Sequence, residues 1–167
     1  MGRLGERVVV TYGAVTMVAQ RSSCACERAR WHHEPMSDAF DLGSTFVHLG
    51  LGATATPLPD FSWSREYLDS YTERFTADGN EGRLVCLMPQ EATWDSWERH
   101  PAGEEVVILI SGRVDLIQEI DGEERVVPLG PGQAVVNPPG VWHTARVHEP
   151  GQALFITPGR GTEARPG

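Results

Sequence analysis

Glu98-Arg99-His100-Pro101-Ala102-Gly103-Glu104-Glu105, read with Pro138-Pro139-Gly140-Val141-Trp142-His143, decides the fold of this chain. A strand repeats its facing every second residue, so Glu98 and His100 share one face while Arg99 points the other way. Pro101-Ala102-Gly103 reads as a tight turn. Glu105 then opens Val106-Val107-Ile108-Leu109-Ile110, a β-branched apolar run that predicts a buried strand and brings a third candidate ligand alongside the first two. His143 belongs to a separate hairpin: Gly132 to Asn137 reads as a strand, Pro138-Pro139-Gly140 as its turn, and Val141 to Val147 as the returning strand. Two carboxylates and two imidazoles gathered in a small β-barrel suit one divalent ion, and the mixed oxygen and nitrogen set favours Mn, Fe, Co, Ni or Zn over Ca or Mg.

Outward from these stretches, short strands recur at intervals of about ten residues. They are Arg83 to Met88, Thr93 to His100, Glu105 to Ile110, Arg113 to Ile120, Arg125 to Leu129, Gln133 to Asn137, Val141 to Val147 and Gln152 to Thr157, with turns such as Ser111-Gly112 and Asp121-Gly122 between them. Regular short strands of this kind predict an all-β antiparallel sandwich or barrel. Upstream, Thr45 to Leu51 reads as a first strand and Pro57-Leu58-Pro59-Asp60 as a loop. Trp63, Tyr67, Leu68, Tyr71 and Phe75 recur at helical spacing, which predicts one amphipathic helix of about three turns on the flank or mouth of the barrel, its aromatic stripe packed as core.

At its ligand stretches the chain resembles the cupin superfamily. The first cupin motif is G-x5-H-x-H-x(3,4)-E-x6-G, and the chain reads Glu98-x-His100-x4-Glu105-x6-Gly112; the second is G-x5-P-x-G-x2-H-x3-N, and the chain reads Gly132-x5-Pro138-x-Gly140-x2-His143. The resemblance spans Thr93 to Val147. Ala92 stands where the leading glycine would be, Glu98 where the first histidine would be, and Val147 where the last asparagine would be. The resemblance implies an antiparallel double-stranded β-helix, or jelly roll, with one short flanking helix ahead of it. It also implies that Glu98, His100, Glu105 and His143 occupy the family's four metal-ligand positions, and that the protein is a homodimer.

Composition agrees with one barrel domain. The chain has 167 residues, 40% of them hydrophobic, enough for a single core. A formal charge of -9 with no basic run argues against a nucleic-acid surface. Residues 1–35 carry five Arg against three Glu while the remainder is strongly acidic, so this segment reads as an extension. Its apolar stretch from Val8 to Ala19 fits an added strand, a disordered segment ahead of a true start at Met36, or a weak targeting signal, and it is too short to cross a bilayer as a helix. The expected layout is therefore an extension over 1–35, the barrel over 36–160 and a flexible tail over 161–167. Cys24-Ala25-Cys26 with His32-His33 lacks the spacing of a structural zinc module, and three scattered cysteines make no disulfide framework. A reducing, cytoplasmic setting without membrane partners is the expectation.

Each candidate has a plainer alternative. Glu98 could pair with Arg99 or Arg146 at the rim, whereas Glu105 opening an apolar strand needs a cation or a donor to offset its burial. His32, His33, His48 and His148 fall in no motif. By strand parity Trp94 and Ser96 share the face of Glu98 and His100, Val107 and Leu109 that of Glu105, and Val141 and Ala145 that of His143, so these six should line a mostly apolar pocket, with Asp95 and Trp97 facing outward. Apolar residues on both faces of Val106 to Ile110 predict that its outer face is covered as well. With all four ligands the site would be a charge-balanced dication. With Glu98 turned away it would be a two-histidine, one-carboxylate set of the kind that serves non-haem iron oxygenases. Either permits a dioxygenase, or an isomerase or lyase, acting on a small oxygenated metabolite; the alternative is a non-catalytic module that binds a small ligand or metal. No separate catalytic base is evident.

Overall fold

Side chains alternate inward and outward along nine strands of one antiparallel sheet system, the pattern predicted for an all-β barrel. The computed structural model describes residues 38–167 in full, and ahead of them the backbone of two strands, β1 (Arg7–Tyr12) and β2 (Val15–Gln20), paired as an antiparallel hairpin. Met1–Asp38 and Ala39–Gly167 are separate compact units. The reading of Cys24, Cys26, His32 and His33 lies outside the described residues, as does the rest of the expected extension.

The second unit runs β3 (Phe46–Gly50), β4 (Thr54–Leu58), helix α1 (Arg65–Arg74), β5 (Arg83–Gln90), β6 (Ser96–Arg99), β7 (Glu105–Ile120), β8 (Glu123–Leu129), β9 (Ala134–Asn137), β10 (Trp142–Pro158) and β11 (Glu163–Pro166). Two long strands organise it. β7 and β10 pair antiparallel almost end to end, from Trp142 opposite Glu119 to Ile156 opposite Val106. β5 flanks β10, β8 and β9 flank β7, and β3 and β4 extend the β5 side to an edge. Where turns were expected at Ser111-Gly112 and before Gln152, both strands instead continue through a register shift. Gly112 and Gly151 make that crossing possible. A Cβ on Gly112, at φ +87°, would lie 2.5 Å from the Glu149 carbonyl oxygen, and one on Gly151 would overlap the Ser111 backbone. The glycine that closes the first motif is thus required where two backbones meet.

Two further differences have local causes. Pro57, expected in a loop, lies in β4, and it is tolerated there because β4 is an edge strand that needs no donor on its open side. Residues 163–166, expected in a tail, form β11 against β6, with Glu163 opposite Arg99 and Pro166 opposite Ser96. Arg99 donates to Glu163 at 2.6 and 2.9 Å, and Arg165 lies over the Trp97 and Trp142 rings, so the outer face of β6 is covered. α1 begins at Ser64, whose hydroxyl accepts from the Tyr67 N–H, and buries Tyr71 against the core. The core proper is Leu58, Leu109, Leu116 and their neighbours inside the barrel.

Candidate metal centre

Glu98 and His143 are cross-strand partners between β6 and β10, which is why residues far apart in the chain meet. His100 follows Glu98 at the end of β6, and Glu105 opens β7 after the turn. One oxygen or nitrogen from each of Glu98, His100 and His143 falls within 4.8 Å of the other two. Glu105 is not within that group but lies against both imidazoles, its Oε1 3.2 Å from His100 Nε2 and its Oε2 3.2 Å from His143 Nε2. His100, Glu105 and His143 are at most 3% exposed, while Glu98 is half-buried.

Three of the four ligand candidates, His143, His100 and Glu105, are fixed from behind. His143 Nδ1 donates to the Val141 carbonyl at 3.2 Å, which turns Nε2 toward the cluster as the nitrogen available to a metal. His100 Nδ1 lies 3.0 Å from Thr162 Oγ1. Glu105 accepts from Asn137 Nδ2 at 2.9 Å and from Thr157 Oγ1 at 2.6 Å, and Asn137 is in turn bonded at 2.8 Å by Gln118, which is fully buried. These outer partners hold rotamers and are of the kind that orient metal ligands. No motif position marks Gln118, Asn137, Thr157 or Thr162 as part of the site. Only the pairing of Glu105 with Asn137 follows from register, since the two are opposite residues of β7 and β9.

The two Nε2 atoms are buried and have no hydrogen-bond partner among the described residues, although carboxylate oxygens stand 3.2 Å away. An unpaired buried nitrogen costs about 1–3 kcal/mol, and here two converge on one point. A borderline dication bonded by both nitrogens and by carboxylate oxygens removes that cost, so the residues fit such an ion. The carboxylates behave differently. Burial pushes Glu105 upward, but the imidazoles of His100 and His143 push it further down, and it is held ionised. Burial raises Glu98 above the ordinary range, His100 and His143 opposing and Glu105 reinforcing the rise.

A cavity of about 1080 Å³ opens onto Glu98, His100 and Glu105, with β5, α1 and the segment after β10 as its walls. Trp94 and Ser96 line it as parity predicts. Val107, Leu109, Val141 and Ala145 do not. Val107, Leu109 and Ala145 share the inner face, but they lie where Val114, Leu116 and Leu129 fill the barrel, so no open space reaches them. Val141 is half-buried off the cavity wall, and Asp95, expected outside, stands at the cavity rim. His48 is a core histidine stacked on Phe75, bonded to Tyr71 Oη at 2.8 Å and Asp78 at 2.9 Å, and His148 pairs with Asp115 at 2.8 Å.

Residues 83–159 match the family model described as Cupin domain. The chain carries a cupin domain. No curated protein matches the sequence. Solved structures similar to this chain include a cupin-2 domain containing protein from Shewanella frigidimarina NCIMB 400, 25% identical, covering 46% of this chain and 70% of that one at a TM-score of 0.40. Hydroquinone 1,2-dioxygenase from Sphingomonas sp. TTNP3 is 16% identical over 46% of this chain and 59% of its own, at 0.38. Hydroxypropylphosphonic acid epoxidase from S. wedmorenis is 11% identical over 45% of this chain and 43% of its own, at 0.40. The chain therefore spans less than two thirds of the length of these two enzymes. Among its described residues no helix is long and apolar enough to cross a membrane.

Proposed function

We propose that Glu98, His100, Glu105 and His143 hold one divalent transition metal and that the protein is a metal-dependent enzyme acting on a small oxygenated metabolite, with a dioxygenase favoured over an isomerase or lyase. The observation that carries this is the convergence of two orphaned Nε2 atoms with two carboxylates at the floor of a cavity large enough for a substrate. Two neutral imidazoles and two carboxylates balance a dication. Held by these four residues, such an ion would supply a Lewis-acid or redox centre at the cavity. The chain's own part is to orient the ligands through Thr157, Asn137 and Thr162, to exclude water with the α1 wall, and to keep the surroundings free of competing proton donors.

The preference for oxygenation comes from the remaining titratable side chains. Isomerases and lyases need a base to carry a proton, yet burial holds both Tyr71 and Cys86 on the cavity wall up at about 12, so neither serves near neutral pH, and Asp95, the other carboxylate of the lining, is exposed at the rim. The same observation supports a second reading, a non-catalytic module that binds a ligand at its metal. Tag-free protein, its His100→Ala and His143→Ala variants, and anaerobic Fe(II) reconstitution followed by oxygen-uptake assays with diketones, catechols, flavonols and thiol acids separate them. Stoichiometric metal lost in both variants supports the site, and substrate-dependent uptake supports the enzyme. Metal without uptake, but with a ligand-dependent rise in unfolding temperature, supports the binding module.

We also propose a homodimer, with a second copy covering the outer sheet face. Pro57, Val47, Val85, Ile156, Val106 and Val136 form one straight outward row across β4, β3, β5, β10, β7 and β9, and Leu87, Leu154, Ile108 and Ala134 form the next. None of the ten is buried. Six strands about 4.8 Å apart and two rows deep make an apolar belt of roughly 400 Å². A standard dimer buries about 800 Å² per partner, near 65% of it apolar, so the belt with a polar rim approaches what one partner contributes.

A further inference from the structure

We propose that the ligand of the cavity carries a carboxylate, held by Arg160, at the end opposite the group that meets the metal cluster. The proposal rests on the metal reading above and adds a class of ligand to it. Gly159 to Thr162, the segment that follows β10, runs along the cavity wall and connects two of its features. Thr162 supports His100 at 3.0 Å, while one Nη of Arg160 donates to Thr76 Oγ1 at 2.8 Å. Two residues of chain span at most about 7 Å, so the backbone that carries Arg160 and the backbone that carries the support of His100 are close neighbours on one cavity wall.

Arg160 is half-buried and, among the described residues, is the one arginine that lines the cavity. Arg99, Arg113 and Arg165 each have a carboxylate within 3.2 Å, but no described carboxylate lies within 4.0 Å of Arg160. Arg74, Arg83 and Arg125 share that lack of a carboxylate, but none of them lines the cavity. A guanidinium has five N–H donors in a planar fork, and the bond to Thr76 uses one of them. A carboxylate entering the cavity meets the rest in the geometry the fork fits best.

Charge counting selects the anion. Asp95, Glu98 and Glu105 also line the cavity. A dication at the cluster would offset Glu98 and Glu105, and solvent screens the exposed Asp95 at the rim, so the charge of Arg160 is the one left to meet a ligand; it matches a single negative charge, and a dianionic phosphate or phosphonate is penalised. Between the two ends, Leu68, Met88 and Phe155 offer an apolar wall, so the body of the ligand is a ring or short hydrocarbon chain.

The test is calorimetric titration of full-length, Co(II)-loaded protein with 3-phenylpropanoate, its neutral amide 3-phenylpropanamide, and 2-phenylethylphosphonate. The carboxylate is expected to bind at least about tenfold more tightly than either. Arg160→Gln should bring it down to the amide's affinity, and Arg160→Lys should keep part of the preference, with cobalt content and thermal unfolding unchanged in both. Equal binding of acid and amide, binding of none of the probes, or a preference that survives Arg160→Gln overturns the proposal. Tighter binding of the phosphonate overturns the choice of anion. A wild-type protein that takes up no stoichiometric cobalt yet prefers the carboxylate through Arg160 overturns the metal reading and leaves this one standing.

Discussion

His143 Nε2 and Glu105 Oε2 stand 3.2 Å apart without an aligned hydrogen bond between them. Because His143 commits its Nδ1 proton to the Val141 carbonyl, a neutral ring would turn its Nε2 lone pair onto a carboxylate oxygen in a place water does not reach. Two electron-rich atoms so placed repel unless a positive charge lies against both. His100 repeats the arrangement with Oε1 of the same carboxylate. The cluster is therefore strained as a set of bare side chains and relieved as a set of ligands.

Metal removal should destabilise the fold measurably. An ion present at a hundredfold excess over its Kd adds about 2.7 kcal/mol, which for a domain of this length is roughly 5 to 10 °C in Tm. Differential scanning calorimetry with and without chelator is expected to show that drop in wild type and none in His143→Ala. Equal responses in the two would mean that the metal binds elsewhere.

Glu98 stands where a cupin's first motif carries histidine, and it faces His143 directly across the β6–β10 pair. As a ligand, it should be replaceable by another ligand but not by its amide. Glu98→His is expected to hold metal within a few-fold of wild type, whereas Glu98→Gln should lose at least about tenfold in affinity. Competition titration against a chromogenic chelator measures both. Were Glu98 merely a rim partner for arginine, the two variants would bind alike.

The ligands could be read from the chain because each lies beside a turn, where strand parity fixes a facing within one or two residues. Their supports could not, since Asn137, Thr157 and Thr162 reach Glu105 and His100 across separations of 32, 52 and 62 residues. Parity assigns a face but not a depth along the barrel. That is why Val107, Leu109 and Ala145 point inward as expected and still touch core instead of cavity. The continuity of β7 and β10 was hidden for a related reason: Gly112 and Gly151 have the composition of turns, and only their mutual approach shows that they are a crossing.

Cys86 and Tyr71 set the alkaline limb of stability. Burial, reinforced for the thiol by Glu105 and Glu98 and for the phenol by Asp78, raises both from ordinary values of 9.0 and 10.0 to about 12. The folded chain keeps protons that the unfolded chain releases, so their contribution is complete below pH 9 and is lost as pH climbs from about 9 to about 12. Urea midpoints across that window should fall less steeply for Cys86→Ala than for wild type. In a background with Cys24 and Cys26 changed to serine, alkylation of Cys86 near neutral pH is expected to run at least about a hundredfold slower in the native than in the denatured protein.

The outer belt makes the last prediction. Val106 and Ile108 lie at its centre on β7, flanked by Ile156 and Leu154 on one side and Val136 and Ala134 on the other. Their partners inside the sheet, Glu105 and Val107, face the opposite way, so a charge placed at 106 or 108 leaves the metal centre and the core untouched. Sedimentation of wild type should give a dimer at micromolar concentration, and Ile108→Glu a monomer with unchanged metal content. The copies each carry -9, so mutual repulsion opposes their meeting and added salt should tighten the dimer instead of dissolving it. A dimer weakened by salt would indicate pairing through charged rims such as Arg99 and Glu163, and a wild-type monomer would leave the belt to another partner.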